Sequence, residues 1–526
     1  MPITSKKTWV LLFVLGAVLF NILLWQEKIA LNAILFDAFL LGMLIYLYAG
    51  AFKNTQVLLM LLLHLTTAAA LLWHNTTLSK IAFLTSFGLL VGFIQYKVRS
   101  ALFAAGGFVS NIILAAAGIS ENVRTSTHTN TPNKRRGRIG FVVLPLFIIV
   151  VFFAIYRSSN AVFATYTNTV FDRIAHFFEN FFSYFSFGRI LFTLLGFYST
   201  AAILLKSRSR ATESREAGYS DSLLRNRNKY YRSTGSFLYT LSVAITGKLA
   251  KGMLALKNEN TIAIISLLLL NILLLAVNGI DVYYLWFNFS YSPNTDLYTM
   301  IHEGADMLIV SVVLAIVVLL LFFRGNLNFY KKNTWLKRLA WLWIVQNIVL
   351  VVSVFLRDYY YIRELGLAYK RIGVLFFLAL VLVGLITAAV KITQRKSAYY
   401  LFRVNTWAVV LLLVAASCIN WDVFITRYNI QNHQTARLNI PYLVTLSDDI
   451  LPEMKQHLGL LKQREDTLNK QGYYVHMEDA QKKCSQCIEE TINTRIQQYL
   501  QTQKKYSWLS WNRKDAAAVN YLTQNQ

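Results

Sequence analysis

Near-continuous apolar runs of 18 and 20 residues, at 139–156 (IGFVVLPLFIIVVFFAIY) and 304–323 (GADMLIVSVVLAIVVLLLFF), leave this chain few ways to fold. At 1.5 Å per residue such a run matches the hydrocarbon core of a bilayer, roughly 30 Å thick. No water is available there, so a crossing segment must satisfy its own backbone hydrogen bonds. Helices do this, and nothing in the chain alternates like barrel strands. Composition agrees: 56% of the residues are hydrophobic and only 15% charged, where a soluble domain carries about a quarter charged residues. Mean hydropathy is +0.43. The expected fold class is an all-α polytopic membrane protein.

Apolar windows place spans near 8–25, 30–50, 56–73, 78–96, 139–156, 187–205, 261–280, 304–323, 335–356, 372–392 and 401–420, about eleven transmembrane helices. Charged loops orient them, because Lys and Arg are retained on the cytoplasmic side. Loop 206–259 carries eleven Lys or Arg residues against Glu213, Glu216, Asp221 and Glu259. Lys134–Arg138, Arg324–Arg338 and Lys391–Lys396 are also basic. Alternating from these anchors puts the N-terminus in the cytoplasm and everything after 420 outside. Lys6 and Lys7 precede the first apolar run as in a signal peptide, but the run is too long and lacks a cleavage site, so it reads as a retained span. The net charge of +26 follows from the same retention rule, and no nucleic-acid partner is expected.

The chain divides into an N-terminal transmembrane bundle (1–205, six spans), a basic cytoplasmic loop (206–259), a C-terminal transmembrane bundle (260–420, five spans) and a small helical extracytoplasmic domain (421–526). Residues 100–118 are apolar enough to span, yet a crossing there would put Lys134–Arg138 outside; they are expected to form a re-entrant or surface-lying helix. In 171–185, Phe171, Ile174, Phe178, Phe181 and Phe185 share one helical face opposite Asp172, Arg173, His176 and Glu179, as in an interfacial helix. Packing against other spans would use the same aromatics. Segment 206–232 is rich in Ser, Arg and Asn and is expected to be mobile. The last domain is charge-balanced, with helical patterns at 446–469 and 478–503 and a poorly ordered final twenty residues expected.

Polar residues at membrane depth are costly and face a bundle interior or cavity. They gather where the C-terminal spans end: Asn278 and Asp281, then His302, Glu303 and Asp306, then Arg357, Asp358, Arg363, Glu364, Lys370 and Arg371. His302 and Asp306 are four apart and share a helix face. The candidate binding residues are His302, Asp306, Arg357, Glu364 and Arg371, a cluster in which guanidinium groups would recognise an anionic ligand on the outer face. The competing reading is structural, with the same groups pairing across helices and to lipid phosphates. No metal site is assigned, since two ligands do not make one and no H-E-x-x-H is present. No cofactor is assigned either, because no phosphate-cradling glycine loop occurs. Asp37 in the second span is either a proton-relay group or a satisfied structural contact. Cys484-Ser485-Gln486-Cys487 is a lone C-x-x-C.

Tyr298-x-x-x-His302-x-Gly304, Tyr361-x-x-x-x-Gly366-Leu367-x-x-x-Arg371, Asp422-x-x-Ile425-x-Arg427-Tyr428-Asn429 and Tyr442-Leu443-x-x-Leu446-Ser447-Asp448-Asp449-x-x-Pro452 stand in this order. As a set they resemble a bacterial family of multispan inner-membrane proteins described only as a domain of unknown function, over roughly 257–455. Ala368 stands where the resemblance leads one to expect a hydroxyl residue. The resemblance implies a bacterial inner membrane and an outward-facing cluster, and brings no activity with it.

The function expected is transport or lipid handling in the bacterial envelope through the outward polar cluster, with membrane lipids as partners. A membrane transferase using a lipid-linked donor is the alternative. It ranks lower because the first outer loop, Gln26-Glu27-Lys28, lacks a paired carboxylate. A non-catalytic sensor or scaffold acting through 421–526 is the third reading. Whether the protein is an enzyme is left open by these residues.

Overall fold

A computed structural model describes residues 6–123, 186–206, 211–223, 255–287, 297–323, 325–434, 438–470 and 488–525, with isolated residues between 149 and 171; of 297–309 only the backbone is described. The described residues are helical, apart from one isolated bridge between Ser222 and Lys396. The helices run α1 (Lys6–Leu24), α2 (Leu31–Tyr48), α3 (Thr55–His74), α4 (Thr77–Gln95), α5 (Ala101–Val123), α6 (Phe187–Leu204), α7 (Ala211–Ala217), α8 (Ala255–Asp281), α9 (Leu297–Phe322), α10 (Thr334–Leu365), α11 (Tyr369–Gln394), α12 (Ala398–Ser417), α13 (Trp421–Gln431), α14 (Ile440–Val444), α15 (Leu451–Gln456), α16 (Leu458–Lys470), α17 (Ile488–Gln503) and α18 (Arg513–Gln524).

Eight of them are long and apolar enough to cross a membrane: α2, α3, α4, α6, α8, α10, α11 and α12. Shorter apolar stretches are Thr8–Leu24, Ala101–Ala116 and Val310–Phe322. The expected span at 139–156 and the expected amphipathic helix at 171–185 lie outside the described residues, save a few isolated positions.

Two compact units emerge. In the first (Met1–Gln26 and Asn111–Ser207), α1 and α6 pack antiparallel. Gly16 lies against Thr200 and Gly196 against Phe20, and these small residues let the backbones approach. Ring pairs Phe13–Phe197 (5.6 Å) and Phe20–Phe192 (4.6 Å) fill the seam. At its end Arg189 Nε donates to Asn21 Oδ1 (3.0 Å), and Asn21 Nδ2 donates to Thr193 Oγ1 (2.7 Å).

The second unit comprises Glu27–Ser110 and Arg208–Gln526. Its helix ends are set by local capping. Asn75 takes a left-handed conformation (φ 47°) to end α3, and the Thr76 side chain then caps α4 by accepting from Ser79 N. Next, α5 folds back along α4: Gly92 lies against the Ala104 backbone and Gly88 against Phe108. This helix therefore lies on its neighbour over its first half, and its apolar stretch is shorter than a span.

Helices α8 and α10 run parallel at a fixed offset. Asn271 Nδ2 donates to Leu339 O (3.1 Å), Asn278 Nδ2 to Gln346 O (3.0 Å), and Trp286 Nε1 to Ser353 Oγ (3.1 Å). Gln346 Nε2 also donates to Asn271 Oδ1 (3.0 Å). Asn271 and Asn278 are seven apart, as are Leu339, Gln346 and Ser353, the repeat of a coiled-coil seam. Here the seam is polar, because apolar contacts give helices in lipid little reason to prefer one another.

On one face of this unit, segment 211–223 docks on the α4–α5 and α11–α12 turns. Buried Glu216 accepts from the backbone N–H of Arg99 and Ser100 (both 2.8 Å) and from Tyr399 OH (2.5 Å). Asp221 pairs with Arg403 (2.9 Å), and Ser397 N donates to Asp221 O (2.9 Å). The expectation of a mobile loop is corrected for this stretch: its three carboxylates, Glu213 (accepting from Lys97 N, 3.1 Å), Glu216 and Asp221, satisfy backbone donors and a guanidinium.

The opposite face carries the C-terminal domain. Its core of Ile425, Ile440, Leu443, Ile450, Leu451, Met454, Ile492 and Ile496 continues without a break into Leu367 and Ile372 of the α10–α11 joint. The expected helical patterns appear as α15–α17. The final residues, expected to be poorly ordered, instead form α18, capped by Asn512 and anchored through Asp515.

Candidate functional site

Within the second unit, on the face that carries the domain, a cavity of about 1010 Å³ opens between the ends of α4, α11 and α12 and the underside of the domain. Its walls differ. Leu78, Ile81, Ile372, Phe376, Leu412, Leu413 and Trp421 make an apolar wall continuous with the spans. Asp422, Asp449, Tyr499, Tyr506 and Lys514 of the domain, with Lys28, Lys80 and Tyr369 at the adjoining helix ends, make the polar lining.

Most of the polar groups are already held. Asp515, behind the wall, pairs with Lys28 and accepts from Asn512 Nδ2 (2.7 Å) and Tyr499 OH (3.0 Å). Burial opposes ionisation of Asp515, but Lys514 and Lys28 outweigh it and hold the carboxyl well below the usual carboxylate range. Burial and the same carboxylate push the Tyr499 hydroxyl well above the ordinary tyrosine range. Lys514 pairs with Asp449, which also accepts from Asn420 Nδ2 (3.0 Å). Asp422 accepts from Tyr369 OH (2.8 Å) and Ser447 Oγ (2.5 Å). Lys80 stands in the field of Lys28, Lys514, Asp515 and Asp449 and has no ion-pair partner among the described residues. Its ammonium is thus the cation on the wall left available to an anionic group. Where the domain meets the end of α3, Arg513 stacks on Trp73 (3.7 Å), and Trp508 and Trp511 are exposed, like the aromatic belt at a membrane surface.

The residues singled out from sequence are placed as follows. His302 and Asp306 lie on α9, and their side chains are outside the described residues. Arg357 pairs with buried Asp281, tying α10 to α8. Glu364 meets its neighbour Arg363 (3.4 Å) at the surface. Arg371 lies under the α10–α11 joint: Nη1 donates to the carbonyls of Leu365 (3.1 Å) and Gly366, and the guanidinium stacks on Tyr361 (4.1 Å). Arg371 also lies within electrostatic reach of buried Asp358. Arg357, Glu364 and Arg371 do not line the cavity. Cys484 and Cys487 lie outside the described residues, and Cys418 is a free, exposed thiol.

Three of the four motifs, those at 361–371, 422–429 and 442–452, meet at that joint. Gly366 takes φ +78° as the C-cap of α10. Asn429 clamps the next residue, accepting from Leu367 N (2.6 Å) and donating to Leu367 O (2.9 Å). Tyr442 OH accepts from Tyr369 N (3.0 Å), and Arg427 pairs with Glu453. The motif residues thus seat the domain on the spans. A family described as Domain of unknown function (DUF4153) matches residues 35–457. The chain belongs to this family. The match extends well beyond the 257–455 marked by the motifs and takes in the cavity's α4 wall. No curated protein matches the chain, and no solved structure does. In this DUF4153 protein Ala368 is the N-cap of α11 and makes no side-chain cap bond, which accounts for a hydroxyl residue being expected there.

Sequence reasoning did not find Lys28, Lys80 and Lys514 as a group, because they come from three distant segments. It singled out Asp37 without its partners. In the structure His64 Nε2 meets Asp37 Oδ2 (3.0 Å), His64 Nδ1 meets Ser86 Oγ (2.9 Å), and Thr67 Oγ1 meets Ser86 Oγ (2.7 Å).

Proposed function

We propose that this DUF4153 protein handles lipids of the bacterial inner membrane, binding an amphipathic lipid in the cavity with its tail along the α4–α11–α12 wall and its phosphate at Lys80. The cavity carries this reading: one apolar wall continuous with the spans faces a polar wall on which Lys80 has no ion-pair partner among the described residues. A pocket for a small polar solute would not need the first, nor one for a hydrocarbon the second.

In this reading the domain face is extracytoplasmic. Support comes from charge. The opposite face gathers Lys97, Arg99, Arg395, Lys396 and Arg403, the pattern of a cytoplasmic surface. The eight long apolar helices, α1, α9 and the segment 139–156 together make eleven spans. For α9 the argument is geometric: α8 and α10 are parallel, so the chain must return across the membrane between them. The outward cluster of His302, Asp306, Arg357, Glu364 and Arg371 remains a proposal for a second anion-recognising surface at the same ends of the spans.

Native mass spectrometry of the full chain released from lipid nanodiscs tests the cavity. A Cβ at Gly373, which lines it, would meet nothing within 4 Å. Gly373→Leu therefore enters the cavity with its Cβ in open space, and helix propensity favours it by about 1 kcal/mol. The wild type is expected to retain phospholipid, Gly373→Leu to lose it with no loss of thermal stability, and Lys80→Gln to lose preference for anionic headgroups. Equal retention by the wild type and Gly373→Leu would refute the assignment.

A further inference from the structure

The Asp37–His64–Ser86–Thr67 chain is separate from the cavity and sits near the middle of three spans. Asp37 lies six residues into α2, His64 nine into α3 and Ser86 nine into α4, so Ser86 and His64 are about 14 Å from the helix ends. His64 and Thr67 are fully buried, and Ser86 and Asp37 nearly so. The imidazole sits beside the Phe83 and Phe87 rings (5.1 and 5.5 Å). Asp37 Oδ1 is buried and has no hydrogen-bond partner. Ser86 has no open space before it and its hydroxyl is fully engaged, so a nucleophilic role is excluded on access alone.

One placement of the protons keeps the cluster electrically neutral. Ser86 Oγ can donate to Phe83 O (2.9 Å) and Thr67 Oγ1 to His64 O (2.8 Å). With the serine proton so placed, Ser86 Oγ accepts from His64 Nδ1–H. His64 Nε2 then faces Asp37 Oδ2 across one further proton, carried either by nitrogen (imidazolium–carboxylate) or by oxygen (imidazole–carboxylic acid). Both arrangements are electrically neutral. Removing that proton leaves one net negative charge in hydrocarbon, with Asp37 Oδ1 unsolvated, a state that is costly there. Among the described residues no other charge stands beside the pair. Along the same helices the nearest ionisable groups are Tyr46, Tyr48 and the following Lys53, His74 at the end of α3 and Lys80 at the start of α4. The packed half of α5 has none, Arg403 of α12 is engaged by Asp221, and α18 brings Arg513, Lys514 and Asp515 only to the end of α3.

We propose that Asp37 and His64, oriented by Ser86 and Thr67, form an intramembrane proton-binding site that holds one exchangeable proton between them. Release of the proton requires water or a counter-charge to reach the pair, so proton occupancy is coupled to a rearrangement of α2 against α3 and α4.

The test uses the full chain in nanodiscs, with ¹⁵N-histidine NMR and ¹³C-aspartate infrared difference spectra across the pH range in which it stays folded. One His64 ring signal and one aspartate carboxyl band are expected to change at a common midpoint, as one coupled titration. Both changes are expected to vanish in Asp37→Asn, which keeps the side chain's shape, and in His64→Gln; either variant suffices for assignment. Wild-type spectra without a shared pH-dependent change would overturn the proposal, and so would a His64 signal that titrates unaltered in Asp37→Asn.

Discussion

Replacing Gly366 by alanine probes the joint on which the C-terminal domain is seated. At φ +78° and ψ −176° this residue occupies a region populated essentially by glycine, and a side chain there costs about 1–3 kcal/mol. The new Cβ would also fall 2.5 Å from Asn429 Oδ1 and 3.1 Å from its Cγ. The amide must swing away and release both bonds to Leu367. That peptide is buried, so each abandoned group costs about 1–3 kcal/mol. The whole loss is about 3–9 kcal/mol, large for one methyl group. Unfolding by SDS in mixed micelles, followed by domain tryptophan fluorescence, reads it. Asn429→Ala alone should cost about 2–4 kcal/mol. Added to Gly366→Ala it should cost much less than the sum, because the first change has already broken the clamp. A Gly366→Ala loss below about 1 kcal/mol, or full additivity in the double variant, would refute this account.

Ala368→Ser should stabilise the protein by about 1 kcal/mol in the same assay, by supplying the side-chain cap that α11 lacks; no gain would mean that Tyr442 already satisfies the helix start. Acid should loosen the domain's hold on Lys28. The Asp515 carboxyl is held below its unfolded value, so the stability it contributes is complete above about pH 4 and is lost as pH falls further. Hydrogen exchange of 507–515 should rise over that interval, and Asp515→Asn should abolish the pH dependence. For topology, single cysteines near 220 and near 460 are placed in a background lacking Cys418, Cys484 and Cys487. In intact spheroplasts the first should be shielded from an impermeant thiol reagent and the second labelled; the reverse pattern would invert the proposed orientation.

The sequence by itself determined the membrane class, the position of each long apolar helix and the motif set that marks the family. These properties are local: a run of eighteen apolar residues needs a bilayer whatever its neighbours do, and Asn54, Thr76 and Ser397 cap their helices within three residues of themselves. Partnership is a different matter. Whether Arg357 waits for a ligand or pairs with Asp281, 76 positions away, depends on α8 and α10 lying side by side. The docking of 211–223 depends on where the α4–α5 turn leaves its backbone N–H groups. The order of the last twenty residues depends on Lys28, 487 positions earlier, meeting Asp515. Asp37 was legible as a costly charge, but its proton partner His64 is a lone histidine in an apolar run until three helices converge. Hydrophobic periodicity carries the helices because burial scales with local apolar area. Polar pairing is carried by a few atoms within about 3 Å of each other, and only the tertiary structure sets such distances.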